Sequence, residues 1–409
     1  MTSWPLYAEE RSREQDPPEH LAGAASRLYT HYVATARAAG PRLAVGAAAH
    51  PRFATPGEAA SWLDAERDNL LAVARAAPGL GQPTAQLILH FALFGYLVGR
   101  RHLDDAAGLA ARAVRTARAT RSPQDLRPYE PALLSDLGSA QRELRRFDAA
   151  VTSYRTALAA HERLRGPARH RSAADRHFEA FVLSNLGLAF QQAHRPHRAI
   201  RVLKRSLALF PPDSDPRSKG MAYTNLGMAL FDVGRYEEAI AAYEEDLAVC
   251  RRTGDRRGEG VTLNHLGMAL RETGHPHAAT EAHTGALAAA RETGDPYDEA
   301  MALSNLGVDL TLTGDLERAV ELAGRAVERF RAFGDVHHAR TRPVSPSPEP
   351  SPTTAATRRR PTPCGAPPRP TARPATGTRR PGRAPPSAPI WNSPAACPKP
   401  SPPRPAPWP

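Results

Sequence analysis

Five short segments line up along the chain: Asp136-Leu137-Gly138, Asn185-Leu186-Gly187, Asn225-Leu226-Gly227, His265-Leu266-Gly267 and Asn305-Leu306-Gly307. The glycine spacings are 49, 40, 40 and 40 residues. Twelve positions after each glycine stands an alanine: Ala150, Ala199, Ala239, Ala279 and Ala319. Twenty after it stands Leu158, Leu207, Leu247, Leu287 or Val327, and three after it Phe190, Leu230, Leu270 or Leu310, with Gln141 the exception. A fixed period of this length constrains the fold more than any other feature. It marks an array in which each unit is one supersecondary element stacked on its neighbours.

Each unit reads as two helices. In the third, Tyr223, Leu226, Leu230 and Val233 recur at helical spacing over Lys219 to Val233. Gly234-Arg235 interrupts the pattern, and Tyr236 to Arg252 resumes it with Ala239, Ile240, Tyr243 and Leu247. Gly254-Asp255 closes the unit, glycine as a left-handed C-cap and aspartate near the next start. Gly294-Asp295 and Gly334-Asp335 repeat this punctuation. The recurring Gly and Ala are expected where the paired helices cross, because small residues allow close approach. Neither helix can bury its apolar face alone, so each pair must stack on the next.

These features resemble the tetratricopeptide repeat, whose pattern adds an aromatic sixteen positions after the glycine. Tyr154 and Tyr243 fill that slot, while Leu203, His283 and Ala323 depart from it. The resemblance implies an all-α, right-handed α-solenoid of the 40-residue type. A degenerate unit precedes it, with Phe94 in the glycine slot, Ala106 twelve and Val114 twenty residues later. The expected organisation is a helical N-terminal segment over 1–80, the degenerate repeat over 81–125, the array over 126–340 and a tail over 341–409.

Within the N-terminal segment two helices are expected, Pro18 to Ala39 and Gly57 to Ala77. The second contains Trp62-Leu63-Asp64-Ala65-Glu66-Arg67-Asp68-Asn69-Leu70. This run is similar to the segment preceding the repeats in large actinobacterial regulators. Those are NTPases with an NB-ARC-type module and a tetratricopeptide sensor, including relatives of the Streptomyces antibiotic regulatory proteins. Leu6 to Arg11 is similar to the end of their winged helix. Trp62, Leu63 and Leu70 also suit plain core positions of a capping helix, and the two readings are compatible. A P-loop needs Gly-Lys-Ser/Thr to cradle phosphate. None of the three lysines follows a glycine, so the resemblance is to a sensor arm without its nucleotide-binding domain.

Charge separates the tail from the rest. Thr341 to Pro409 holds 23 of the 41 prolines and 11 of the 54 basic residues, against one of the 42 acidic ones. The basic balance of the chain therefore belongs to the tail and is no sign that the array binds nucleic acid. That composition is expected to be disordered. The abrupt change after Arg340 is what an out-of-frame reading of GC-rich DNA gives; a genuine Pro-rich linker or basic arm is the rival. If the array ends there, its open end offers an apolar surface for self-association. Three cysteines without metal spacing, no apolar leader, and an Ala85 to Val98 stretch too short to span a bilayer lead to a cytoplasmic expectation without membrane contact.

Catalytic signatures are missing: there is no Gly-x-Ser-x-Gly, no His-Glu-x-x-His and no Gly-rich dinucleotide fingerprint. No enzymatic activity, cofactor or metal is expected. His275 and His277 read as a solvated turn, since no further ligand stands at metal spacing. Cys250 reads as a small buried hydrophobe, and Glu237-Glu238 with Glu244-Glu245-Asp246 as a solvated acidic face. One constellation stands out: Asp136, Asn185, Asn225, His265 and Asn305, each two residues before a glycine. By the resemblance they lie on first helices lining a concave groove, where asparagines hydrogen-bond the backbone of an extended peptide. An amide offers both donor and acceptor. The equally open alternative is that they bond to neighbouring helices and hold the stack. If they bind peptide, Met228, Phe231, Met268 and Arg271 on the same helices would contact ligand side chains. The expected function is a protein- or peptide-binding scaffold, the sensor or interaction part of a transcriptional or signalling regulator. The alternative is a regulator that binds nucleic acid through its basic tail.

Overall fold

The computed structural model describes residues 18–43, 50–119, 126–165 and 172–332. The expected disordered tail, Gly334-Asp335 and the Leu6 to Arg11 motif lie outside them. The chain divides into Met1–Pro348 and Glu349–Pro409, and only the first contains described residues.

Fourteen helices make up nearly all of the described chain, and no strand occurs among these residues. Two precede the array: α1 (Pro18–Ala39) and α2 (Pro56–Ala76). The degenerate unit forms α3 (Pro83–Gly99) and α4 (Leu103–Ala119). Unit 1 is α5 (Glu130–Glu143) and α6 (Phe147–Arg165), and unit 2 is α7 (Ala173–Gln192) and α8 (Pro196–Leu209). Unit 3 is α9 (Pro216–Phe231) and α10 (Tyr236–Thr253), and unit 4 is α11 (Arg256–Glu272) and α12 (Pro276–Thr293). Unit 5 is α13 (Pro296–Thr313) and α14 (Leu316–Ala332).

Local chemistry explains the boundaries. Gly254 and Gly294 close α10 and α12 at φ +66° and +68°. The aspartate that follows each is the next N-cap: Asp255 accepts from the Gly258 N–H, and Asp295 from those of Tyr297 and Asp298. Two orphan sets of helix-end groups are thus satisfied by adjacent residues. The turns inside units 3 to 5 use Gly234, Gly274 and Gly314, also left-handed.

Consecutive helices pack pairwise from α3 to α14, each second helix also packing on the first helix of the next unit. Successive first helices α5, α7, α9, α11 and α13 touch one another, and no comparable contact joins second helices among the described residues. First helices therefore share one side of the array. A continuous apolar core runs from Leu87 to Phe330, and a second cluster joins α1 to α5. In that cluster Leu63 and Leu70 are fully buried, and Trp62 packs on Phe53. Asp64 accepts from the Tyr96 hydroxyl at 2.7 Å and Glu66 from that of Tyr32 at 2.8 Å, tying α2 to α3 and α1. In the degenerate unit Ala106 and Val114 are buried and Phe94 is half-buried.

The recurring glycines also make room for a particular side chain. A Cβ at Gly227 would lie 2.7 Å from Tyr243 Cδ1, sixteen residues on. At Gly138 it would lie 2.8 Å from Tyr154, and at Gly267 2.6 Å from the His283 ring. The glycine makes room for the residue in the aromatic slot. Only at Gly307, where that residue is the small Ala323, does the backbone oxygen of Ala319 come within 3.3 Å of such an atom. Helix against helix and ring against glycine are alternative fillings of one space.

Candidate functional site

The side shared by first helices presents residues at six and two positions before each glycine, and one and four after it. Asp136, Asn185, His265 and Asn305 are half-buried there, and Asn225 is buried. Three members reach back to the preceding first helix. Asp136 Oδ2 pairs with His90 Nε2 of α3 at 2.8 Å. Asn225 Nδ2 donates to Ser184 Oγ of α7 at 3.2 Å, and Asn305 Nδ2 to Asn264 Oδ1 of α11 at 2.9 Å. The last two share a register, each partner lying just before the previous ladder residue. These bonds staple consecutive units. They use one amide donor at each asparagine and leave its carbonyl to other partners.

His265 differs. Its ring stacks on Tyr243 (centroids 5.7 Å, interplanar 15°), and its Nδ1 is buried without a hydrogen-bond partner. Burial lowers its pKa, opposed by the Val261 backbone and the charge of Asp246, with nearby His283 acting in the same direction as burial. The sign follows from proton linkage. An unfolded chain protonates this imidazole below about pH 6.5, whereas the folded one resists, so its stabilising contribution is present above that pH and is lost as pH falls. Replacing His265 with asparagine, the residue of three sister units, should flatten the fall in melting temperature between pH 7 and 5. An unchanged pH slope in that variant refutes the assignment.

Among the side-chain candidates, Met228 and Phe231 lie against the core while still half-exposed, and Met268 is half-buried. Phe231 meets Tyr236 edge-on at 5.2 Å. Arg271 is engaged: its Nη1 donates to Asp309 Oδ1 at 3.0 Å. Asp309 is fully buried and its other oxygen accepts from His283 Nδ1, while His283 Nε2 faces the Asn264 carbonyl at 3.1 Å. Both ring nitrogens thus face oxygen atoms. This triad was hidden in the repeat slots. Two positions after the glycine, the sister units have Ala140, Ala189, Ala229 and Ala269. Aligning the units flags Asp309 at once.

A broader regularity covers the same side. Of five methionines, the four within described residues are Met221, Met228, Met268 and Met301. All stand six before or one after a glycine. Phe181 and Leu188 occupy those positions in unit 2. Met221 is 55% exposed, and the others are half-buried. An adaptable apolar strip thus runs beside the amide ladder.

Other expectations resolve simply. Cys250 is buried; burial first, then the charge of Asp246, pushes its thiol up to about 12, far from a nucleophile's range. His275 and His277 are exposed, and His275 lies against Thr273. Asp246 is the exception and corrects the acidic-face reading. Glu237, Glu238, Glu244 and Glu245 are exposed, but Asp246 is 5% exposed, because its side of α10 is covered by α11. No helix of the described residues is long and apolar enough to cross a membrane, and no group of three metal-ligating side chains occurs among them.

Four family models, each described as a tetratricopeptide repeat, match residues 133–168, 184–249, 219–292 and 300–339. No curated protein matches the sequence. Among solved structures, BtubC (BKLC) of P. vanneervenii is 22% identical over 62% of this chain and 98% of its own, with a TM-score of 0.48. A signal transduction ATPase with numerous domains and a tetratricopeptide repeat sensor, from Pyrococcus horikoshii, is 16% identical over 69% of this chain, TM-score 0.49. The chain spans 40% of that protein's length. Aspartyl phosphate phosphatase F of Bacillus subtilis is 14% identical over 67% of this chain and 72% of its own, TM-score 0.49. The chain carries tetratricopeptide repeats over 133–168, 184–292 and 300–339, and the described helices of the array stack as an α-solenoid.

Proposed function

We propose that the array is a scaffold that receives an extended peptide or protein segment along the side formed by its first helices. We further propose that it is the sensor or interaction arm of a transcriptional or signalling regulator. The observation that carries the first statement is the methionine strip beside the amide ladder. Methionine is scarce elsewhere in this chain, and its flexible thioether suits a surface that must fit a varied ligand. The ladder supplies backbone hydrogen bonding at one residue per unit. An extended ligand rises about 3.3 Å per residue and helix pairs stack roughly 10 Å apart, so each unit meets about every third ligand residue. The regulator reading is supported by the Trp62 to Leu70 run before the repeats.

The test uses the full chain with a photoreactive residue in place of Met268, or of Glu281 on the exposed side of α12. A partner from lysate should crosslink several-fold more from position 268. Asn305→Ala should then weaken the captured partner up to about tenfold, the equivalent of one hydrogen bond worth ~0.5–1.5 kcal/mol. Equal crosslinking from the two positions refutes the groove. Destabilisation by Asn305→Ala without loss of affinity reduces the ladder to a structural staple.

A further inference from the structure

Nineteen positions after the glycine, second helices carry a small residue: Ala157, Ser206, Ala286 and Ala326. The slot packs against the next unit and is closed to water; the three alanines and Ser206 are at most 2% exposed. Unit 3 places Asp246 there. Facing it from unit 4, five positions before the glycine, is Thr262, where the sister units have Leu133, Val182, Ala222 and Ala302. Two core slots that meet at one junction have therefore both become polar.

The solenoid does not need a carboxylate in this place, since the three other junctions between units close with Ala157, Ser206 and Ala286. Its surroundings hold it only partly. Oδ2 accepts from Thr262 Oγ1 at 2.6 Å and from Thr224 Oγ1. Oδ1 receives only the weak Cys250 thiol, at 3.7 Å. No basic side chain ion-pairs with Asp246 among the described residues. A buried carboxylate served by neutral donors alone is costly, and a cation would relieve that cost.

Space for one is present. At the junction of units 1 and 2, His161 and Phe178 fill the end of the interface, with ring centroids 4.8 Å apart. The same slots at the junction of units 3 and 4 hold Cys250 and Gly258. The bulk removed leaves a cavity of about 520 Å³, walled by Met221, Val249 and Val261 and bounded by Asp246. Met221 and Val261 stand on first helices, and Asn225 of the ladder is among the residues that line the cavity. Arg217 and Arg257 at its rim are exposed and already paired, with Asp255 at 3.5 Å and Asp295 at 2.8 Å. They leave Asp246 as the unpaired charge.

We propose that this cavity binds a linear alkylammonium group, with the methylene chain against Met221, Val249 and Val261 and the ammonium on Asp246. A lysine side chain fits this description, and as part of a bound segment it would anchor the peptide between units 3 and 4. Only that last step rests on the peptide-binding reading; the amine site stands without it.

The experiment uses full-length protein and calorimetric titration with n-pentylammonium, 1-pentanol serving as the neutral isostere. The ammonium should bind at least about tenfold tighter than the alcohol, as a charge-assisted contact with a desolvated carboxylate requires. Asp246→Asn should bring the two affinities together. Asp246→Ala installs the residue of the sister units; it should keep the melting temperature at or above that of the unaltered chain and also lose the preference. Equal binding of ammonium and alcohol by the unaltered protein overturns the proposal, as does a preference that survives Asp246→Asn. A second titration compares a hexapeptide bearing one lysine with its Nε-acetylated form. Preference for the free amine places a peptide lysine in the cavity. Pentylammonium binding without peptide binding still establishes the amine site, assigns it to small amines, and counts against the peptide scaffold alone.

Discussion

Asp309→Ala is expected to destabilise units 4 and 5 by about 3–5 kcal/mol, the cost of breaking a buried ion pair from one side. Asp309 is fully buried and is the shared acceptor of Arg271 and His283. Without it, the His283 ring, with no exposed surface, keeps one nitrogen facing a carbonyl and loses the other's acceptor. Arg271, with a side chain 15% exposed, keeps its charge and loses its partner. The alanine itself is harmless, since the sister units all carry one. Combining Asp309→Ala with His283→Tyr restores the pairing seen at Tyr243 and Ala269 and should recover more than half of the loss. Repeat arrays open unit by unit, so the measurement is hydrogen exchange along α11 to α14 rather than one global midpoint. A single-variant loss below about 1 kcal/mol would mean the triad carries no buried charge worth pairing.

The second large effect is at Gly227. Gly227→Ala should cost about 1–3 kcal/mol, the range for overpacking a filled core. The added methyl would lie 2.7 Å from Tyr243 Cδ1, and Tyr243 is 1% exposed and has nowhere to go. Gly234→Ala is the control. That glycine has φ +74° with nothing within 4 Å of the added atom, so it loses only left-handed freedom, about 1 kcal/mol. The two variants should also differ in coupling. Tyr243→Ala should absorb much of the Gly227→Ala penalty and none of the Gly234→Ala one. Equal costs, or no coupling at position 227, would show that the repeat glycine is retained for backbone reasons instead.

Much of this molecule is legible one helix at a time. The 40-residue period, the apolar stripes, and the Gly254-Asp255 and Gly294-Asp295 boundaries depend on contacts within a few residues, and helical spacing places such residues on one face reliably. The tetratricopeptide pattern then supplied the stacking. What lies across each interface was not legible, because it depends on how two helices cross. That Tyr243 lies over Gly227 depends on how the two helices cross. The ladder asparagines could bond to a ligand or to the stack, and only the approach of successive first helices puts Ser184 and Asn264 within reach of Asn225 and Asn305.

Asp246 shows the limit most clearly. In the run Glu244-Glu245-Asp246 its charge looks like that of its neighbours, but a residue one step along a helix is rotated by about 100°. That rotation takes it from solvent into the junction with α11. The chain alone determined that there are paired helices, where they start and stop, and which residues repeat. Tertiary structure alone decided which polar side chains are enclosed and what they face, since burial is a property of two surfaces meeting, and each helix encodes only its own.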